Sequence, residues 1–106
     1  MALNSINLVG TAVADYRPIK DTFGVFRMVN NYRRNKEEPL FIDVKVFDKL
    51  AEICYDHIKK GTKVEVSGRL ALKVTEKDGK KYQDYSIIAN DVCFTNTFEK
   101  KEESDE

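Results

Sequence analysis

Leu40 to Phe47, LFIDVKVF, alternates more regularly than any other stretch of the chain. Leu40, Ile42, Val44 and Val46 share one face and Phe41, Asp43, Lys45 and Phe47 the other, the period of two that makes a strand. Thr62 to Leu70 alternates in the same way, with Val64, Val66, Gly68 and Leu70 set against Lys63, Glu65, Ser67 and Arg69, and this strand is predicted to run on to Thr75. Asn4 to Val13 is a weaker strand, in which Ile6 and Leu8 alternate with polar neighbours until Gly10 imposes a bend or bulge. Val25 to Asn31 places Phe26 and Met28 opposite Val25, Arg27 and Val29. Tyr82 to Phe94 carries Tyr85, Ile87 and Ala89, then Val92 and Phe94. It returns after Asp78-Gly79, a strong two-residue hairpin signal. Asp15 to Gly24 and Tyr32 to Pro39 hold neither period and are predicted loops.

One segment has a different period. In Asp48 to Lys60, DKLAEICYDHIKK, the residues Leu50, Ile53, Cys54, His57 and Ile58 recur at helical spacing. Asp48 suits the N-cap, Lys59 and Lys60 suit the negative end of the helix dipole, and Gly61 suits the left-handed position beyond it. The order is three strands, one helix, two strands. Five strands in about 95 residues are too few for a two-sheet sandwich. Closing them into a barrel removes the open edges, with the helix plugging one end. The predicted fold is therefore all-β, an OB-fold: a five-stranded Greek-key barrel with one short helix between strands three and four.

Length and charge refine this picture. The 106 residues suffice for one domain. Residues 1–98 are assigned to it. Residues 99–106, EKKEESDE, contain no apolar side chain and are predicted to be a disordered acidic tail. The chain has 18 basic and 18 acidic residues; setting aside the tail's two lysines and five acids leaves a body of 16 and 13, about +3. So small an excess permits a nucleic-acid partner, yet something besides charge must hold a polyanion. Cys54 and Cys93 lack metal-ligand spacing and are read as two buried free thiols of a reducing compartment. Neither a signal peptide nor a membrane-spanning run is recognisable, which points to a cytoplasmic protein.

The strand at Leu40–Phe47 carries the candidate chemistry. Its inner face is aliphatic, while its outer face reads aromatic, acid, lysine, aromatic. A solvated face seldom carries two Phe, because each exposed ring forgoes about 2 kcal/mol of burial. Single-stranded nucleic acid needs aromatics among cations: bases stack on the rings at about 1–3 kcal/mol each and Lys or Arg track the phosphates. The pattern alone leaves three readings of Phe41 and Phe47 open, namely base stacking, packing between subunits and ordinary core. Tyr32 with Arg33 and Arg34 in the preceding loop reads either as a base-stacking finger or as solvent-exposed loop. Arg69 and Lys73 extend a phosphate track or form a solvated face. Catalysis finds little support. His57 stands alone on the helix as a packing residue, Asp15, Asp43 and Asp48 have no partner that their spacing identifies, and no phosphate loop, metal site or cofactor is implied.

These residues resemble the bacterial single-stranded DNA-binding protein family. NSINLVGTAVAD is similar to its first strand, and FIDVKVFDKLAEICYDHIKKGTKVEVSGRL, Phe41 to Leu70, follows its core pattern almost position by position; the similarity continues through DGKKY to NDVCF. The resemblance implies an OB-fold, binding of single-stranded DNA with little sequence preference, roles in replication, recombination and repair, and a homotetramer or dimer built on first-strand pairing through Leu3, Ile6 and Val9. Phe41 falls where the family commonly has a stacking Trp and Phe47 on a stacking Phe. Tyr32 lies near another aromatic position. This sequence departs from the family in having no Trp and in placing Val74 or Thr75 where an aromatic is usual. The hairpin is about one residue shorter, leaving Tyr82 and Tyr85 unassigned. The family's Gly/Pro/Gln-rich linker and acidic Pro-Phe tip, which recruits replication and repair proteins, have no counterpart in ESDE. Two other readings remain open: a replication-restart accessory OB protein acting through protein contacts, and an RNA-binding OB domain.

Overall fold

The computed structural model describes residues 3–30 and 38–95. Among these, the elements in chain order are β1 (Ile6–Ala12), β2 (Arg17–Lys20), β3 (Phe23–Asn30), β4 (Leu40–Phe47), α1 (Asp48–His57), β5 (Lys63–Lys77) and β6 (Lys80–Thr95). The sheet runs β1-β5-β6-β4-β3-β2, and an additional pairing of β1 with β3 closes it. β1, β3, β4, β6 and β5 therefore form the five-stranded barrel expected of an OB-fold, with α1 between its third and fourth strands. The pairing of β4 with β6 is parallel. No hairpin joins parallel neighbours, so α1 and β5 form the crossover.

Alternation fills the barrel. Phe26, Met28, Val44, Val46, Val64, Val66 and Ile87 are almost wholly buried, and Ala51, Cys54 and Ile58 close one end from the helix side. Each large apolar side chain removed from water contributes about 1.5–3 kcal/mol. β1 needs its glycine. Its partners change from β5, paired through Ile6–Thr11, to β3, paired at Thr11 and Ala12. A Cβ on Gly10 would run into the Val29 carbonyl oxygen and come within 2.6 Å of Met28 Cε. Beyond the start of β1, the Asn4 amide side chain donates to the Leu70 carbonyl and accepts from the Leu70 N–H, both at 2.9 Å, continuing the ladder with side-chain atoms.

The hairpin turn follows its sequence signal. Asp78 at φ 55° and Gly79 at φ 78° both take the left-handed conformation that a two-residue turn of this hand requires. The switch in β6 from Ile87 and Ala89 to Val92 marks a bulge. Gly68 pairs with Ala89 and Ser67 with Asp91, leaving Asn90 over.

Several expectations need correction. Residues 15–24 are not all loop, because β2 pairs with β3 there. All four β2 residues are exposed, which leaves no apolar period to read, and an edge strand tolerates Pro18. The helix N-cap is Phe47, not Asp48, and it makes no side-chain cap; Asp48 has φ 54° and donates its N–H to the Thr22 carbonyl at 2.8 Å. The helix ends at His57, short of Lys60, because Ile58 turns extended to enter the core. Asp15 then accepts the Lys60 N–H at 2.8 Å. Gly61, at φ 94°, sits in the left-handed turn that follows. The buried stripe of α1 is shifted, so Ile53 and His57 are exposed. The His57 ring stacks on Phe94 at 5.3 Å. Leu40, at the strand's outer end, is exposed rather than part of the aliphatic inner face. Cys54 is buried but Cys93 is not. Residues 99–106, assigned to an acidic tail, lie outside the described residues. No described helix is long and apolar enough to cross a membrane.

Two measurements check this packing. Gly10→Ala is expected to lower stability by about 1–3 kcal/mol in urea unfolding, because the methyl group meets backbone that cannot turn aside. Burial pushes the Cys54 thiol up to about 12, so at pH 8 a thiol reagent should modify Cys93 at once and Cys54 only after unfolding.

Candidate functional site

The outer face of β4 takes its shape from the strands beside it. The antiparallel register with β3 sets Phe23 opposite Phe47, Val25 opposite Lys45, Arg27 opposite Asp43 and Val29 opposite Phe41. On the other side Asp43 aligns with Ser86 and Lys45 with Ile88 of β6. β6 aligns Ser86 with Ala71, Ile88 with Arg69 and Asp84 with Lys73 of β5. Since Val44, Ile87 and Leu70 point inward in one row, the rows on either side of it point outward. Phe41, Lys45, Phe47, Arg69 and Lys73, all singled out from sequence, thus share one outer face made by β3, β4, β6 and β5. Tyr32, Arg33 and Arg34 lie outside the described residues.

Both phenylalanines are exposed, at 47% for Phe41 and 42% for Phe47. Burial in the core of this chain is therefore excluded as their role. Each has a companion among the described residues. Phe23 stacks on Phe47 with centroids 4.8 Å apart and planes 18° from parallel. The Arg27 guanidinium lies over Phe41, its Cζ 5.7 Å from the ring centroid, within cation–π range. The same guanidinium donates from Nη1 to Asp43 Oδ1 at 3.0 Å, in an ion pair with both side chains about half exposed. Between β4 and the β5–β6 hairpin runs a groove of about 510 Å³, lined by Phe41, Asp43, Lys45, Lys73, Asp84 and Tyr85 among others.

Phe23 and Arg27 belong to this face and were not among the residues picked from sequence. Arg27 was visible on the outward side of its strand, but its pairing with Asp43 needs a register between strands that no single-strand pattern carries. Phe23 is two residues before Val25 and so continues the period; starting the strand at Val25, with Gly24 counted as loop, hides it. Chemically, the face offers flat apolar rings to planar groups and several cations to anions, with Asp43 and Asp84 among them. Among the described residues no three His, Cys, Asp or Glu side chains cluster as a metal site would need.

The chain matches the model of the single-strand binding protein family over residues 3–95. A single-stranded DNA-binding protein from Aquifex aeolicus is 34% identical over 104 residues, covering 89% of this chain and 71% of its own length. One from Wolinella succinogenes is 31% identical over 100 residues, covering 84% of this chain. The chain spans only 62% of the length of that second relative. Among solved structures, a small single-stranded DNA-binding protein from Streptomyces coelicolor superposes with a TM-score of 0.77 at 20% identity, covering 90% of this chain and 96% of its own. A Plasmodium falciparum SSB in complex with ssDNA gives 0.74 at 22%, covering 91% and 97%. At these identities the two structures establish a shared fold.

The exposed Arg27–Asp43 pair should matter little to stability. Arg27→Ala and Asp43→Asn are each expected to cost less than about 1 kcal/mol in urea unfolding, the usual worth of a solvated ion pair.

Proposed function

The chain belongs to the single-strand binding protein family, and on that premise we propose that it binds single-stranded DNA, largely regardless of sequence and without catalysis, on the outer face of β3, β4, β6 and β5. The observation that carries this reading is the convergence of Phe41 and Phe47 with Lys45, Arg69 and Lys73 on one face. Bases stack on Phe41 and on the Phe23–Phe47 pair while the cations follow the phosphates. Stacking supplies what a body charge of only about +3 cannot, since every base has a π-face. Tyr32, Arg33 and Arg34, which precede β4 in the chain, are assigned to the same DNA contact from their sequence.

The role that fits this chemistry is protection and organisation of single strands during replication, recombination and repair, in the cytoplasm at the nucleoid. Residues 1–98 form the binding domain and 99–106 an acidic tail. Self-association runs along β1 and the residues just before it, where Val9 is 60% and Leu3 91% exposed. Ile6, also assigned to that surface from sequence, packs partly against the core and contributes less.

Titration with oligo(dT) of increasing length, read by tyrosine fluorescence at several salt concentrations, tests binding, site size and salt dependence together. The expected outcome is quenching with an affinity that falls as salt rises. Phe41→Ala and Phe47→Ala should each weaken binding by about 1–3 kcal/mol with the fold intact. Absence of binding at low salt would overturn the proposal, and equal or tighter binding of oligo(U) would overturn the preference for DNA.

A further inference from the structure

Asp43 is out of place on a surface that takes up a polyanion. It lies between Phe41 and Lys45 on the outward side of β4, about half exposed, and shares the groove with a second acid, Asp84. Its partner is Arg27, and the same guanidinium covers one side of the Phe41 ring. A single cation is thus held by a carboxylate at 3.0 Å while lying over an aromatic platform at 5.7 Å. A base that stacks on that side of Phe41 has to displace the guanidinium, and a phosphate that recruits Arg27 has to displace Asp43. The two events are one motion of one side chain. Resting on the DNA-binding role proposed above, we infer that Asp43 is a positioning residue that latches Arg27 over Phe41 in the free protein, and that single-stranded DNA binds by exchanging this carboxylate for a backbone phosphate.

The exchange is within reach because the pair is solvated. Exposed ion pairs of this kind shift an equilibrium by only a factor of about two to five, and charged hydrogen bonds to phosphate are of comparable strength. The latch therefore moderates affinity without abolishing it. It also makes the binding of DNA less sensitive to salt than the number of cations on the face implies, because Arg27 gives up a protein anion as it gains a phosphate. Asp43→Asn keeps the shape of the side chain and frees the guanidinium from its counter-charge.

The test is a double-mutant cycle with wild type, Asp43→Asn, Arg27→Ala and the double variant, each titrated with oligo(dT) across a series of NaCl concentrations. Asp43→Asn is expected to bind about two- to fivefold tighter at low salt. The slope of log affinity against log salt should steepen by about 0.7, one additional phosphate contact on a single strand. In the Arg27→Ala background the same substitution should give neither change. An equal gain in both backgrounds would mean that Asp43 merely repels phosphate, and the latch would be overturned. Unchanged or weaker binding by Asp43→Asn alongside normal binding by wild type would overturn it too. Loss of binding in all four proteins, wild type included, would instead remove the DNA-binding role on which the latch rests.

Discussion

The parallel ladder between β4 and β6 is short, aligning Asp43 with Ser86, Val44 with Ile87 and Lys45 with Ile88, but both faces of the barrel depend on it. Inward, it puts Val44 beside Ile87, two of the fully buried side chains, and joins the β3–β4 pair to the β5–β6 hairpin in one core. Outward, it sets the hairpin's Arg69 and Lys73 on the surface that carries Phe41 and Phe47. Without it, the aromatic residues and the distal cations would be joined only the long way round the sheet, through β1. The crossover through α1 is the topological cost of a parallel pair, which explains the position of the helix in the chain.

That arrangement uses charge sparingly. The face has Lys45, Arg27, Arg69 and Lys73, but also Asp43 and Asp84, and one of the cations is already engaged by an acid. On the proposed binding role, ring surface then supplies much of the hold on a ligand. The structure supplies ring surface in pairs: Phe23 backs Phe47, and a guanidinium backs Phe41. A stacked companion restricts the orientation of an exposed ring, so in the proposed binding mode a base would meet a platform already in place and less ordering entropy would be lost. The chain has no tryptophan, so the rings on this face are phenylalanines.

The opposite end of the barrel is organised for closure. Cys54, Ala51 and Ile58 seal it, the Tyr16 N–H donates to the Ile58 carbonyl at 3.0 Å, and Asp15 accepts from Lys60. Tyr16 lies where a Cβ on Gly24 would overlap its hydroxyl, so glycine there gives the buried ring its place. These contacts tie the β1–β2 connection and β3 to the residues that follow α1, so the chain leaving the helix is held in place. β4, which runs straight into α1, is anchored by the same cluster.

Much of this was legible along the chain. The period of two marked β3, β4, β5 and β6, the helical period marked α1, and Asp78-Gly79 marked the turn, because each signal depends on residues close in sequence. The outward position of Phe41, Lys45 and Phe47 followed from alternation in one strand, and the same rule carried Arg69 and Lys73. Short β2 escaped, since a fully exposed edge strand has no apolar period, and Asp48 passed for a cap because composition does not reveal the left-handed turn it makes. What only the tertiary structure decided is register: which residue of β3 lies against which of β4, and which row of β5 continues it across β6. Register is set by pairing between segments far apart in the chain, through packing of both faces at once. It is register that brought Phe23 to Phe47 and Arg27 to Asp43 and Phe41, and no pattern within a single strand contains it.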